Sequence, residues 1–464
     1  MSALGSAERL LRVAIVGSGP SGFYAAEALL QAPSVVEVDM LEQLPVPYGL
    51  VRFGVAPDHA KLKAVTKVFE EIARHERFRF FGNVALGREV SVAELDQRYH
   101  AIIVATGAAA DRNLGIPGEH LVGVHAAADF VGWYNGRPEC AKLQFDLSQE
   151  VAVVVGQGNV AIDVCRILAK SVDELRHTDI AEHALEALAA SRIREIHLIG
   201  RRGPAQARFT PKELRELGTM PGWCPVIDPN SLALNPASEI ELMPPGPAST
   251  ARNVGILREL AARPTVGRRR IHLHFQRAPF ALHGEGRLQR LSLEVQRLVG
   301  PAFEQRAEPA GHVVELQAGL LFRSVGYRGA ALPGLPFDER RGILPNREGR
   351  LLAGPDQVLP GWYATGWIKR GPTGIIGTNR LDSVETVARL LDDLSTLDAP
   401  KSGRHALAAL LDQSERCVVG FDEWLAIESA EQRRGAARGK VAEKFVRVAD
   451  MLAAAQPRES LSAW

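Results

Sequence analysis

The chain reads as α/β with two doubly wound, Rossmann-like units, and three observations carry that reading. Short, wholly apolar, partly β-branched runs are closed by glycines, the pattern of a parallel strand buried on both faces. Two such runs, 13–16 and 151–155, each feed a glycine-rich turn and then a helical stretch, and they start about 140 residues apart. One doubly wound unit has a single glycine-rich entry turn, so two entries mean two units. With 464 residues, 46% of them hydrophobic, the chain can build two or three domains with cores of their own.

Taken in order, the run 13–16 is followed by a helix over 23–30 and a strand over 36–42, which together make one βαβ unit. A further apolar run at 100–104 ends in Ala105-Thr106-Gly107. The pattern restarts at 151–155, with a helix over 160–169, an Ala- and Glu-rich helix near 181–190 and a strand over 195–199. From 271 to 327 the alternation is that of strands, at 271–275, 288–298 and 312–325, and the Pro- and Gly-rich stretch 331–342 reads as a return linker. The tail from Lys401 reads as surface helix.

Lys+Arg of 55 against Asp+Glu of 54 leaves a net charge of +1, so bulk charge invites neither nucleic acid nor an anionic membrane, and a charged partner must meet a local patch. Cys140, Cys165, Cys224 and Cys417 form no C-x-x-C and no ligand cluster, which argues for a reducing compartment. The first dozen residues lack an apolar leader core and no window approaches 18 apolar residues, so the expectation is a soluble, cytoplasmic protein without membrane insertion, read as a monomer.

Gly17-Ser18-Gly19-Pro20-Ser21-Gly22 is G-x-G-x-x-G between a strand and a helix. The first glycine permits the turn, the second lets backbone approach a pyrophosphate, and the third lets helix pack on strand. Glu42 ends the second strand 23 positions after Gly19, where a carboxylate accepts from a ribose diol. FAD and NAD both fit this unit. Gly156-Gln157-Gly158-Asn159-Val160-Ala161 is G-x-G-x-x-A, and its second strand ends in Gly200-Arg201-Arg202-Gly203 instead of an acid. Guanidiniums offer charge-assisted hydrogen bonds to a 2′-phosphate, so this unit should prefer NADPH; the competing reading is a solvated arginine pair.

At this point the sequence resembles adrenodoxin reductase and the bacterial NADPH–ferredoxin reductases of that type. The resemblance rests on the stretches Pro47-Tyr48-Gly49-Leu50-Val51-Arg52-Phe53-Gly54, Phe130-Val131-Gly132-Trp133-Tyr134-Asn135, the second glycine turn, Gly200-Arg201-Arg202-Gly203-Pro204, and the run from Trp367 to Asn379, and it covers nearly the whole chain. It implies an NADPH domain, 110–334, inserted into a discontinuous FAD domain, 1–109 and 335–464. It also implies FAD contacts from Ser21, Glu42, Leu50, Val84, Trp367 and Gly374-Ile375-Ile376, with Pro20 and the first glycine turn. NADPH contacts follow from Gln157, Gly158, Asn159 and Val160, from Arg201, Arg202 and Glu213, and from Gly374. A hydride would pass from NADPH to FAD and single electrons onward to an acidic ferredoxin, an iron–sulfur protein that would supply a cytochrome P450 or similar oxidase. The resemblance places His59 and Glu216 as a pair near the flavin, able to relay a proton; a histidine at a helix start is otherwise a satisfied surface residue.

Thr210-Pro211-Lys212-Glu213 also reads as a capping box, which would give Glu213 a structural task in place of a cofactor contact. Basic side chains gather at Arg252, Arg258, Arg263 and Arg268-Arg269-Arg270, a candidate ferredoxin face whose plain alternative is a solvated sheet edge. The rival functions are an FAD- and NADPH-dependent monooxygenase, distinguished by NADPH consumption in step with an organic substrate, and an electron-relay module without turnover of its own.

Overall fold

A computed structural model describes residues 3–397, 399–413 and 417–455. The chain divides into two compact units, one of residues 1–110, 135–138 and 327–464, the other of residues 111–134 and 139–326. Each has a parallel sheet of the doubly wound kind, and no helix among the described residues is long and apolar enough to cross a membrane.

In the first unit, seven strands lie in the order Asn346–Arg347, Arg350–Leu352, Val358–Ala364, Ala101–Val104, Leu11–Val16, Val36–Glu42, Phe78–Gly82. The last five are mutually parallel. Val13, Ala14 and Ile15 are fully buried because helices cover both faces of the sheet. The helix Pro20–Leu30 packs with Phe69 and Phe78 on one face, where Phe23 stacks 4.8 Å from Phe69. The tail is helical, at Arg404–Gln413, Phe421–Ala436 and Val448–Ala455, but it is no surface appendage. Leu407 and Leu411 enter one core, and Trp424, Ile427 and Met451 enter the other. Alanine and arginine dominate the tail's composition, yet a handful of large apolar residues at helical spacing is enough to bury it.

The second unit has a six-stranded sheet, Val124–Ala126, Leu320–Arg323, Val151–Val155, Glu195–Ile199, Arg269–His274, Trp223–Val226. All its strand pairs are parallel. A three-stranded antiparallel sheet, Arg277–His283, Arg290–Val299 and Arg306–Gln317, follows. The run expected at 312–325 is two strands, Arg306–Gln317 and Leu320–Arg323, in different sheets, because Ala318-Gly319 breaks the ladder.

In both units the strand that feeds the glycine turn has its sequential neighbour on one side and a strand from later in the chain on the other. The crevice beyond the carboxyl ends of the strands opens at such a switch point, and that is where doubly wound sheets bind ligands.

His100 ties the start of its strand to Arg12: its Nδ1 accepts the Arg12 N–H at 3.0 Å, and its own N–H donates to the Arg12 carbonyl at 2.9 Å. Burial first, then the cations Arg12, Lys401 and Arg9, bring the imidazole down to about 4. The folded value lies below the unfolded one of about 6.5, so this contribution to stability is complete above about pH 6.5 and is lost as pH falls towards 4. His100→Asn retains an acceptor but does not titrate. Its melting temperature should therefore fall less between about pH 7 and pH 5 than that of the wild type, and equal slopes in the two proteins would remove His100 from the acid response.

Candidate functional site

At the first switch point the Ala105 N–H donates to the Val16 carbonyl at 2.7 Å, and a Cβ on Gly17 would lie 2.6 Å from the Ala105 carbonyl oxygen. With φ at +107°, only glycine turns the chain there. Gly22 faces the Gly17 carbonyl so closely that a Cβ would reach 2.1 Å from its oxygen, which is the helix–strand contact its place in the motif requires. Gly19 is different: a Cβ there would meet nothing within 4 Å. Its absence therefore serves no contact within the protein and leaves the backbone open to a ligand. The segment from Pro47 to Leu50 lies against this turn, with the Tyr48 N–H donating to the Ser18 carbonyl at 3.0 Å. Leu50 begins a short helix, Leu50–Phe53.

Glu42 stands at the end of its strand with one carboxylate oxygen accepting from the Ser18 N–H at 3.1 Å and the Ser18 hydroxyl at 2.7 Å, and the other accepting from the Leu44 N–H at 3.2 Å. Burial raises its pKa, and those hydrogen bonds oppose the rise. Buried Val84 follows, its N–H donating to the Glu42 carbonyl at 2.8 Å. Ser18, which steadies the acid, is not a residue the motif singles out.

The stretch from Gly366 to Asn379 packs on the same helix start. A Cβ on Gly366 would strike the Ser21 hydroxyl, and the Ser383 hydroxyl donates to the Ser21 carbonyl at 3.0 Å. Trp367 stacks on Tyr327 at 5.8 Å and donates from its indole to the Thr373 carbonyl at 3.1 Å. Gly374 and Ile375 are exposed, and Ile376 packs on the core. Underneath, buried Lys369 is held by Asp382 at 3.1 Å and Glu385 at 2.9 Å. Sequence reasoning missed this anchor, since nothing in the local pattern pairs Lys369 with a helix over ten residues on.

The second unit repeats the arrangement. A Cβ on Gly156 would lie 2.1 Å from the Ser324 carbonyl oxygen, while one on Gly158 would meet nothing within 4 Å. Gln157 donates from its side chain to the His274 carbonyl at 3.0 Å, and Val160 packs against the core. Exposed Arg201 and half-buried Arg202 follow the strand Glu195–Ile199. The Arg202 pKa is lowered by burial and then by the charges of Arg208 and Arg201. Arg208 thus makes a third cation, missed because it follows the doublet by six residues of irregular chain. A cavity of about 350 Å³ opens beside them, lined in part by Arg202, Arg208, Asn253 and Phe303.

The capping box does not form. The Thr210 N–H, which Glu213 would accept in such a box, donates instead to the Asn159 side chain at 2.8 Å, and Thr210 makes no side-chain cap. Glu213 is buried, and one of its carboxylate oxygens has no hydrogen-bond partner. A buried acceptor left so is costly unless something else supplies a donor. Glu216, on the same helix, is ion-paired with Arg166 at 2.9 Å. His59 belongs to the first unit, where it is buried at the start of the short helix Ala60–Lys63.

The open faces at Gly19 and Gly158 and the terminal acid fit dinucleotides, and the unpartnered Glu213 oxygen and clustered guanidiniums fit a phosphorylated one. None of the four cysteines is in a disulfide, and burial pushes the Cys165 and Cys417 thiols up, so neither is prepared as a thiolate nucleophile.

The family model described as pyridine nucleotide-disulphide oxidoreductase matches residues 11–216. The mitochondrial NADPH:adrenodoxin oxidoreductase of Salvelinus fontinalis is 44% identical over 466 residues, covering 96% of this chain and 91% of that protein. NADPH-ferredoxin reductase FprA of Mycobacterium leprae is 45% identical over 451 residues, covering 95% and 97%. The solved structure of Mycobacterium tuberculosis FprA in complex with NADPH aligns with a TM-score of 0.91 at 43% identity, covering 97% of this chain and all of that one. With this much identity across nearly the full length of both partners, the chain belongs to the family of NADPH:adrenodoxin oxidoreductases and NADPH-ferredoxin reductases.

Proposed function

We propose that the chain is an FAD-dependent oxidoreductase that takes a hydride from NADPH and passes electrons singly to a ferredoxin. FAD, when bound, supplies the exchange between two-electron and one-electron chemistry. The chain's own residues bind and orient. The first unit, 1–109 with 335–464, would hold FAD, with the amides behind Gly19 on the pyrophosphate, Glu42 accepting from the ribose, and the exposed Gly374-Ile375 backbone offered to the ring's polar edge. Segment 110–334 would hold NADPH, with Arg201 and Arg202 on the 2′-phosphate and Glu213 accepting a nucleotide N–H through its free oxygen. His59 would tune flavin reduction. Glu216, already tied to Arg166, would position the helix that carries Glu213.

The observations that support the reading are the open face at Gly158 and the three neighbouring guanidiniums of Arg201, Arg202 and Arg208, which suit a phosphorylated dinucleotide, together with the unsatisfied Glu213 oxygen, which offers an acceptor to a nucleotide N–H. The test is the visible spectrum of the purified chain with NADPH, followed by cytochrome c reduction with and without ferredoxin. Flavin absorbance should bleach with NADPH, and cytochrome c turnover should require ferredoxin. NADPH consumption in step with an organic substrate would favour a monooxygenase and overturn the proposal.

The ferredoxin is expected to be acidic and to dock on Arg252, Arg258 and Arg268–270, all exposed, and a cytochrome P450 or similar oxidase is expected downstream. Exposed charges lose range as the Debye length shrinks from about 10 Å at 0.1 M salt to about 3 Å at 1 M. Ferredoxin reduction should therefore fall with salt more steeply than direct ferricyanide reduction, and neutralising Arg252 with Arg258 should flatten that slope. An unchanged slope would place the docking face elsewhere.

A further inference from the structure

Three imidazoles gather on one face of the second unit's sheet. The strands Glu195–Ile199 and Arg269–His274 run parallel with His197 directly opposite His272. Side chains of one face alternate along a strand, so Glu195, His197, His272 and His274 all project the same way. The ligand atoms of His197, His272 and His274 lie within 4.8 Å of one another. The Nε2 atoms of His197 and His272 are both buried and have no hydrogen-bond partner. Both face the same carboxylate oxygen of Glu195, at 3.5 Å and 3.6 Å.

We propose that His197 Nε2, His272 Nε2 and Glu195 Oε2 form a binding site for a divalent transition-metal cation of the zinc type. Bonds of about 2.0 to 2.1 Å in a tetrahedron place neighbouring ligand atoms about 3.3 Å apart, and the two nitrogen–oxygen separations are close to that. They are too long for good hydrogen bonds, which leaves two buried acceptors or donors waiting on a shared third body. Two imidazoles with one carboxylate suit zinc, with water at the fourth position. Water has a way in, since the Glu195 side chain is 36% exposed.

His197 Nδ1 lies 2.9 Å from His274 Nε2, so the ring nitrogen not offered to the metal is held by a neighbour, as ligating histidines generally are. The His197 and His272 rings are parallel, 2° apart with centroids at 4.3 Å. As the rings stand their in-plane lone pairs run parallel, so binding requires each ring to tilt towards the shared point, a motion the broad terminal torsion of histidine allows.

The test uses the purified, flavin-loaded protein, zinc ion alone as probe, equilibrium dialysis for stoichiometry and a thermal melt as second readout. Wild type should retain about one zinc per chain and melt higher with zinc present, because a ligand bound only by the folded state stabilises it. His272→Ala should lose retention and shift together. Glu195→Gln, a partly exposed position that keeps its shape, should weaken binding by at least about tenfold, and His274→Asn by about ten- to a hundredfold, the usual effect of removing the group that holds a ligating histidine's other ring nitrogen. Circular dichroism and the zinc-free melt report folding of the second unit for every variant, and if His272→Ala does not fold, Glu195→Gln decides. Wild type retaining no zinc beyond the level of the His272→Ala, Glu195→Gln double variant, or a Glu195→Gln protein binding as tightly as wild type, overturns the site.

Discussion

Replacing Gly158 with valine should abolish reduction by NADPH while the chain stays folded and yellow. Gly158 has extended backbone, φ −113° and ψ 178°, which any residue adopts, and its Cβ would point into open space. The new Cβ therefore has open space around it, and the main structural cost is that of a poorer helix cap, about 1 kcal/mol. Whatever binding it loses reports an occupant of that space. A dinucleotide pyrophosphate drawn against the helix start cannot share it with an isopropyl group, so affinity should fall on the order of a hundredfold or more. The flavin should still be reduced by dithionite. Gly156→Ala makes the control with the opposite signature: at φ +141° and 2.1 Å from the Ser324 carbonyl oxygen, its methyl group has nowhere to go, and the melting temperature should drop. An unchanged NADPH Michaelis constant in a folded Gly158→Val protein would mean that the second glycine turn binds nothing.

The contrast between those two glycines also marks what the sequence can express. Both are glycine in a G-x-G-x-x-A string, and the motif's logic assigned each its task before any coordinate was known, because turn geometry and close approach leave little choice of residue. Buried strands are equally legible, since 13–16 and 151–155 are the apolar runs that parallel sheets need on both faces. The capping box at Thr210 failed for a reason local pattern cannot hold: the amide it needed was taken by Asn159, fifty-one positions earlier. The same limit hid Lys369 with Asp382, Ser18 with Glu42, and the depth at which Trp424 and Met451 are buried. Each depends on a partner fixed by tertiary folding, and period and spacing describe only one chain segment at a time.

Arg202→Ala should raise the Michaelis constant for NADPH about ten- to a hundredfold and leave that for NADH nearly unchanged. A charge-assisted hydrogen bond to phosphate is worth about 1.5 to 3 kcal/mol, and each 1.4 kcal/mol is tenfold. Arg202 is half-buried, so solvent screens it less than exposed Arg201, and the loss should be the larger of the two. The free protein should respond in the opposite direction. Burial and the neighbouring charges of Arg208 and Arg201 disfavour the charged Arg202 side chain, and Glu241 opposes them more weakly. Removing it relieves that repulsion, so the nucleotide-free variant should melt no lower than wild type and slightly higher at low salt, where like charges are felt most. A residue kept for packing loses stability when truncated; one kept for a ligand loses affinity and can gain stability. A rise in both Michaelis constants together, or a lower melting temperature with NADPH discrimination intact, would return Arg202 to a structural role and leave the 2′-phosphate to Arg201 and Arg208.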